Sequence, residues 1–291
     1  MNLIIYNNYS GKRNNYDKFI ELKDKLMKLS MVTTFQTKKK SDALNYIKKI
    51  NIVPNAIFVM GGDGTVHEVV NGMMLNSNKN IFESKICHVP IGSGNGISSS
   101  LNIKNIEDAI TSYKKGNFKI VDLVKIQSKE KKIYSVINIL VGLVSDIDIK
   151  SEWLRCLGSL RFSLYAIPMI LQNKSYDVEF NNEKLKIKTL MFSNFKNLTT
   201  NDIFCSDAHP DDSKLNFFMA NGNMSVCDLL QIFIKGFEIS SNKIIRDTIK
   251  EFTLKYKDGL NIDGEYYPEL KDVKCEVIPN VVKFLYKNKL N

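Results

Sequence analysis

Arginine is scarce in this chain. Of 41 basic residues only four are arginine (Arg13, Arg155, Arg161 and Arg246), so 37 are lysine. The formal charge of +10 therefore sits on lysines spread through an Asn- and Ile-rich sequence. No basic run exceeds Lys38-Lys39-Lys40, and there is no basic tail and no aromatic RNA-binding motif. Diffuse lysine of this kind is a solvated surface, which argues against a nucleic-acid partner. Long apolar runs are lacking too. The longest, Val136 to Val144, falls well short of the ~20 residues that span a bilayer. The first residues, Met1 to Asn7, have neither the basic region nor the apolar length of a signal peptide. Five cysteines are an odd number, widely spaced and without a C-x-x-C pair, which speaks against a disulfide framework or a zinc site. Three histidines (His67, His88 and His209) show no metal-ligand spacing. A soluble, cytoplasmic protein is expected. With 291 residues, 44% of them hydrophobic, there is ample material for one large domain or two moderate ones.

What is present alternates. Leu3–Tyr6, Val32–Thr37, Ala56–Met60 and Ile86–Ile91 read as strands. Between the first three lie helical patterns through Phe19, Leu22, Leu26 and Leu29, and through Ala43, Leu44, Ile47 and Ile50. A third, with Val66, Val69, Val70 and Met73, precedes the fourth strand. This is the signature of βαβ units on a parallel sheet. After Asp122 the texture turns to strands: Lys119–Ile126, Ile133–Val144, Ser175–Phe180, Leu185–Phe192, Leu215–Ala220, Glu251–Tyr256 and Val273–Val277. Only Glu152–Gln172 and Val226–Phe237 read as helices there. The expectation is an α/β domain over residues 1–122 and a mostly antiparallel β domain over 123–279. The last strand, within 280–291, is free to pack back on the first domain.

Two glycine turns follow neighbouring strands: Gly61-Gly62-Asp63-Gly64-Thr65 and Pro90-Ile91-Gly92-Ser93-Gly94-Asn95-Gly96. A glycine turn opening a helix presents backbone N–H groups to an anion and lets phosphate approach closely. The first turn alone reads equally well as a tight Asp-Gly turn with Thr65 as helix cap. A second turn beside it favours a ligand site at the carboxyl edge of the sheet. The loop Asn7-Asn8-Tyr9-Ser10-Gly11-Lys12-Arg13 opens on the same edge with two cations. None of these is a Walker A motif, which needs G-x-x-x-x-G-K-[ST].

Gly-Gly-Asp-Gly-Thr followed by His67-Glu68-Val69-Val70-Asn71-Gly72 resembles the catalytic domain of diacylglycerol-kinase-type lipid kinases. Its G-G-D-G core is shared with NAD kinases and phosphofructokinases. Pro90-x-Gly-Ser-Gly-Asn95 is similar to the sphingosine (long-chain base) kinases in particular. So are the acidic-then-basic segment from Asp146 to Phe162 and Asp263-Gly264-Glu265. The likeness departs at Asn8, where the family usually has Pro, and at Ile91 and Gly96, where small residues such as Ala are usual.

The resemblance implies an NAD-kinase/phosphofructokinase-like nucleotide-binding domain joined to a lipid-binding β domain. It also implies ATP with Mg²⁺ held largely by phosphate oxygens and water, and a sphingoid-base substrate met transiently at a membrane surface. No metal ligand is assigned. Asp63 is implied as the base that takes the proton from the lipid's primary hydroxyl. ATP contacts are implied for Asn7, Ser10, Gly11, Lys12, Arg13, Thr37, Gly61, Gly62, Gly64, Thr65, Gly92, Ser93, Gly94 and Asn95. Further contacts are implied for Glu152, Arg155, Arg161, Asp263, Gly264 and Glu265. Asp148 is implied to meet the substrate amine, beside Asp146, Ile147 and Phe162. Arg155 and Arg161 stand out by chemistry as well, because guanidinium grips phosphate bidentately and lysine does not. Glu152 three residues before Arg155 equally permits a surface ion pair. Asp146 and Asp148 alternate and, read as strand, face one way. Asp263-Gly264 alone is a hairpin turn, and the apolar helix after Arg161 alone is a core helix. A diacylglycerol kinase, an NAD-kinase-like enzyme and a nucleotide-binding regulator without activity remain the alternatives.

Overall fold

The computed structural model describes residues 1–11, 15–157, 160–200 and 203–288, with residues 155 and 156 described by their backbone alone. The chain divides into two compact units, Met1–Val121 with Asn280–Asn291, and Asp122–Pro279.

The first unit is α/β. Its elements run β1 (Asn2–Asn7), α1 (Tyr16–Met27), β2 (Val32–Thr37), α2 (Asp42–Lys49), β3 (Ala56–Gly61), α3 (Asp63–Leu75), β4 (Lys85–Pro90), α4 (Gly96–Ser100) and α5 (Ile106–Lys115). The strands lie in the order β2-β1-β3-β4 and are all parallel. Beyond β4, Lys283 and Phe284 of the last strand add in parallel opposite Lys85 and Ile86. The apolar run therefore returns to the first unit. Strands β1 and β3 are buried almost throughout, as a parallel sheet with two covered faces requires. On one face Ile4, Tyr6, Phe58, Met60, Cys87 and Val89 pack against α1 and α5 through Leu22, Leu26, Ala109 and Ile110. Tyr6 stacks on Phe19 with ring centroids 4.7 Å apart. Glu68 of α3 accepts from the Ser41 and Ala43 amides at the start of α2, supplying the cap that Ser41, at φ +69°, does not make.

The second unit is mostly antiparallel. It holds β5 (Phe118–Gln127, from Asp122 on), β6 (Lys132–Ser135), β7 (Asn138–Gly142), α6 (Leu143–Ser151), α7 (Leu160–Leu171), β8 (Tyr176–Phe180), β9 (Glu183–Ser193), β10 (Leu215–Asn221), α8 (Val226–Lys235), β11 (Ile244–Ile249), β12 (Glu251–Lys255), β13 (Leu260–Ile262), β14 (Glu265–Tyr267) and β15 (Asp272–Leu285, to Pro279). The strand order is β14-β13-β7-β9-β8-β12-β15, with β10 on β9 and β11 on β10. Phe192 and Phe252 stack at 4.0 Å in its core. Arg246 bridges to the carbonyls of Phe237 and Ile239 and lies 5.2 Å over the Phe218 ring. The fourth arginine is thus a structural brace.

Two expectations are corrected here. Ile133–Val144 is not one strand: it breaks at Val136-Ile137 and turns helical at Leu143. The helix expected over Glu152–Gln172 is a 3₁₀ segment, Glu152–Leu157, and then α7. Nor is α7 buried all round. Ala166, Met169 and Ile170 face the core, while Leu160, Leu164, Ile167 and Leu171 are exposed along one stripe. Among the described residues no helix is long and apolar enough to cross a membrane, and Cys87, Cys205, Cys227 and Cys275 are free thiols.

Candidate active site

In the first unit three loops meet where β1, β3 and β4 end. Asn7 closes β1 opposite Thr37 of β2, and its amide donates to Thr65 Oγ1 at 2.9 Å. The Ser10 amide turns back onto the Asn7 carbonyl. Gly11 has φ +68° and presses so close to the second turn that an added Cβ would sit 1.9 Å from the Ile91 carbonyl oxygen. An added Cβ on Gly92 would likewise fall 2.6 Å from Gly62 Cα. These contacts require glycine because backbone meets backbone. The second turn locks itself: Asn95, at φ +58°, accepts from the Gly92 amide and donates to the Gly92 carbonyl at 3.0 and 2.8 Å.

Asp63 is the first residue of α3, behind an extended Gly62. Its Oδ2 accepts from the Gly96 amide at 3.0 Å and its Oδ1 from the Ile97 amide at 3.2 Å. A carboxylate there is favoured by the helix N-terminus and by both amides. The helix begins earlier than the Thr65 cap would have it: Gly62 is the cap position, and Thr65 receives the Asn7 amide instead. The structure thus brings Asn7, Ser10, Gly11, Thr37, Gly61, Gly62, Asp63, Gly64, Thr65, Gly92, Ser93, Gly94 and Asn95 to one sheet edge. Lys12 and Arg13 lie outside the described residues.

In the second unit Asp146 and Asp148 belong to α6, not to a strand. Two helical residues apart they point roughly 200° from each other, which corrects the shared face. Asp146 accepts from Tyr176 Oη at 2.8 Å and lies 3.9 Å from both Lys150 and Lys174. Asp148 binds Arg161 Nη2 at 2.9 Å and Asn261 Nδ2 at 2.8 Å. Arg161 is 7% exposed and stacks over Phe162. It faces the Asp148 carboxylate. Ile147 is buried and Phe162 packs against the same core. Glu152 is exposed on the 3₁₀ segment, and the Arg155 side chain lies outside the described residues.

Asp263 departs furthest from expectation. It is 2% exposed. Its Oδ1 accepts from Ser135 Oγ and the Ile137 and Asn138 amides, and its Oδ2 from the Val136 amide, all at 2.7–2.9 Å. The carboxylate closes the break between β6 and β7 and is fully engaged there, so the implied ATP contact is corrected to a structural one. Asp263 and Gly264, both at positive φ, form a two-residue hairpin turn leading into Glu265. Among the described residues no group of three or more His, Cys, Asp or Glu is arranged to hold a metal ion.

Residues 2–126 match the model of the diacylglycerol kinase catalytic domain. Over the whole chain, the fold is similar to a Bacillus anthracis protein crystallised under the provisional name of diacylglycerol kinase, at TM-score 0.81 and 21% identity, covering 100% of this chain and 98% of that one. Sphingosine kinase 2 of Arabidopsis thaliana is 30% identical over 60% of this chain and 38% of its own length. A Staphylococcus carnosus protein provisionally named a lipid kinase is 23% identical over 98% and 96% of the two chains. The chain therefore spans well under half the length of the plant sphingosine kinase it matches.

Sequence reasoning passed over two residues at these positions. Asn261, two residues before Asp263 on β13, holds Asp148. His88 on β4 lies beneath the Gly61–Thr65 turn. The strand pattern marks His88 as inward-pointing, and a buried imidazole is the signal that was available.

Proposed function

We propose that this protein is an ATP-dependent lipid kinase that phosphorylates the primary hydroxyl of a sphingoid base such as sphingosine. The observation that carries the proposal is Asp63, a carboxylate oriented by two amides among interlocked glycine turns. Phosphoryl transfer asks the protein mainly to position reactants and neutralise charge. The turns present N–H groups to ATP phosphates, Mg²⁺ held by those phosphates would supply charge neutralisation, and Asp63 accepts the proton leaving the lipid hydroxyl. The exposed apolar stripe of α7 suits contact with hydrocarbon at a membrane surface. An NAD-kinase-like soluble substrate would make no use of it.

A second reading, a diacylglycerol kinase, has its own observation. Both oxygens of Asp148 are engaged by Arg161 and Asn261, and a neutral head group needs no carboxylate. One assay separates the readings: labelled ATP with the purified protein and sphingosine, diacylglycerol, ceramide or NAD. Sphingosine should be the substrate, Asp63→Asn should remove most turnover while ATP binding stays nearly intact, and Asp148→Ala should raise KM for sphingosine far more than for ATP. Unchanged kcat in Asp63→Asn removes the base. Phosphorylation of diacylglycerol alone replaces the substrate.

A further inference from the structure

One buried titratable group beside the site has no part in the chemistry above. His88 is fully buried on β4, and its Nε2 lies 3.1 Å from the Gly61 carbonyl oxygen. A carbonyl only accepts, so Nε2 carries the proton, and a neutral ring then holds a lone pair on Nδ1. That nitrogen is 3.8 Å from Asp63 Oδ1. Two acceptors facing each other repel. A proton on Asp63 turns the same pair into O–H···N once the side chains close a gap of roughly 1 Å. The neutral ring therefore favours a protonated Asp63.

The surroundings keep the ring neutral. His88 shares its side of the sheet with α3, since Cys87 and Val89 occupy the other. Of the titratable residues on α3, Glu68 is held by the α2 amides and His67 contacts Asn71 one turn on. β3 and α4 carry no titratable side chain. On α2, Asp42 accepts from the Lys38 and Lys39 amides. On the far side, Asp108 of α5 pairs with Lys287 and Lys283 of the last strand pairs with Glu83. Asp63 is thus the charge that acts on His88. Burial pushes the imidazole below its ordinary range, against the opposing pull of the Asp63 carboxylate and the Gly61 carbonyl.

We propose that His88 is a positioning residue for Asp63: its ring, oriented by the Gly61 carbonyl, presents Nδ1 as the acceptor for the proton that Asp63 takes from the substrate hydroxyl. The hydroxyl O–H bond breaks, the proton moves to Asp63, and the new carboxyl O–H donates to Nδ1. The substrate oxygen keeps its electron pair for attack on the γ-phosphorus. This rests on the reading of Asp63 as base.

The test uses full-length protein and two readouts. The ¹⁵N spectrum of the three histidines at pH 7 should show His88 as the neutral Nε2–H tautomer, with Nδ1 resonating as an acceptor. A protonated ring, or an Nδ1–H tautomer, overturns the proposal without any activity being measured. In the second readout His88→Gln places an amide where Nε2 was, keeping the donor to Gly61 and deleting the acceptor. Its kcat should fall about tenfold with KM for ATP unchanged, and the acid limb of its kcat–pH profile should move down by about one pH unit. A structural role would lower stability but leave that limb in place, and an unmoved limb in the variant overturns the proposal. Absence of lipid phosphorylation by the wild-type protein fails the kinase reading itself and takes the proton-acceptor role with it.

Discussion

Replacing Asp263 by Asn separates a structural carboxylate from a nucleotide contact. Asparagine tolerates the left-handed backbone at this turn, where φ is +53°, so the substitution tests the charge and not the fold of the hairpin. The carboxylate accepts four bonds, three on Oδ1 and one on Oδ2. If the amide oxygen takes the place of Oδ1, three donors keep a partner, now neutral. The NH₂ then faces the Val136 N–H with no acceptor between them. Hydrogen bonds to a charged group are worth about 1.5–3 kcal/mol against about 1 for neutral ones, and an unsatisfied buried donor costs about 1–3 kcal/mol. Three weakened bonds and one stranded donor sum to a loss of about 2.5–9 kcal/mol, comparable with the ~5–15 kcal/mol that holds a domain together.

Urea unfolding followed by circular dichroism measures this loss, with the ATP KM measured on the same protein. A lower midpoint with an unchanged KM is expected. Asp263→Ala, which strands all four donors, should cost more still. A wild-type midpoint together with a raised KM for ATP would refute the reasoning and return Asp263 to the nucleotide.

Two further outcomes follow from the same geometry. Gly11→Ala drives a methyl group into the Ile91 carbonyl and forces a non-glycine residue to positive φ, which costs about 1–3 kcal/mol. The first loop should leave the second, weakening ATP binding at least tenfold by calorimetry, and an unchanged affinity would show that the loop contact is idle. Asp228 forms a capping box with Ser225 at the start of α8 and pairs with Lys243 at 2.8 Å. The Lys243 ammonium first, then the Ser225 amide and hydroxyl, hold its carboxyl down to about 2 from an ordinary 3.8. Because the folded value is depressed, this stabilisation is present above pH 4 and is lost as pH falls toward 2. Protection factors of the α8 amides, corrected for the intrinsic exchange rate at each pH, should fall over that window in the wild type and less in Asp228→Asn.

How far the sequence carries depends on whether a residue's role is local. Parallel strands buried on both faces announce themselves as apolar runs, and glycine turns directly after two of them mark a shared edge. The α/β first unit and its loops were legible for that reason. So was the β-rich character of the second unit. The register of roles there was not, because it rests on partners far along the chain. Asp146 and Asp148 sit in Leu-Val-Ser-Asp-Ile-Asp-Ile, whose alternation imitates a strand. Its helix is held by Tyr176 thirty residues away and by Asn261 and Arg161 in other elements.

Arginine scarcity, too, carries a different lesson than phosphate affinity alone. Planar, always-charged guanidinium suits any site where several acceptors converge. In this chain Arg246 uses that property on two carbonyls of a loop, and Arg161 on a carboxylate. A rare arginine therefore points to a place where geometry is demanding, and only its neighbours say whether the demand comes from a ligand. For Arg161 the neighbour is Asp148, the residue proposed to choose the substrate. An ammonium entering there must compete with a guanidinium already in place. On the proposed reading, the Asp148–Arg161 pair, more than the glycine turns, is the place to test selectivity between a sphingoid base and a neutral lipid.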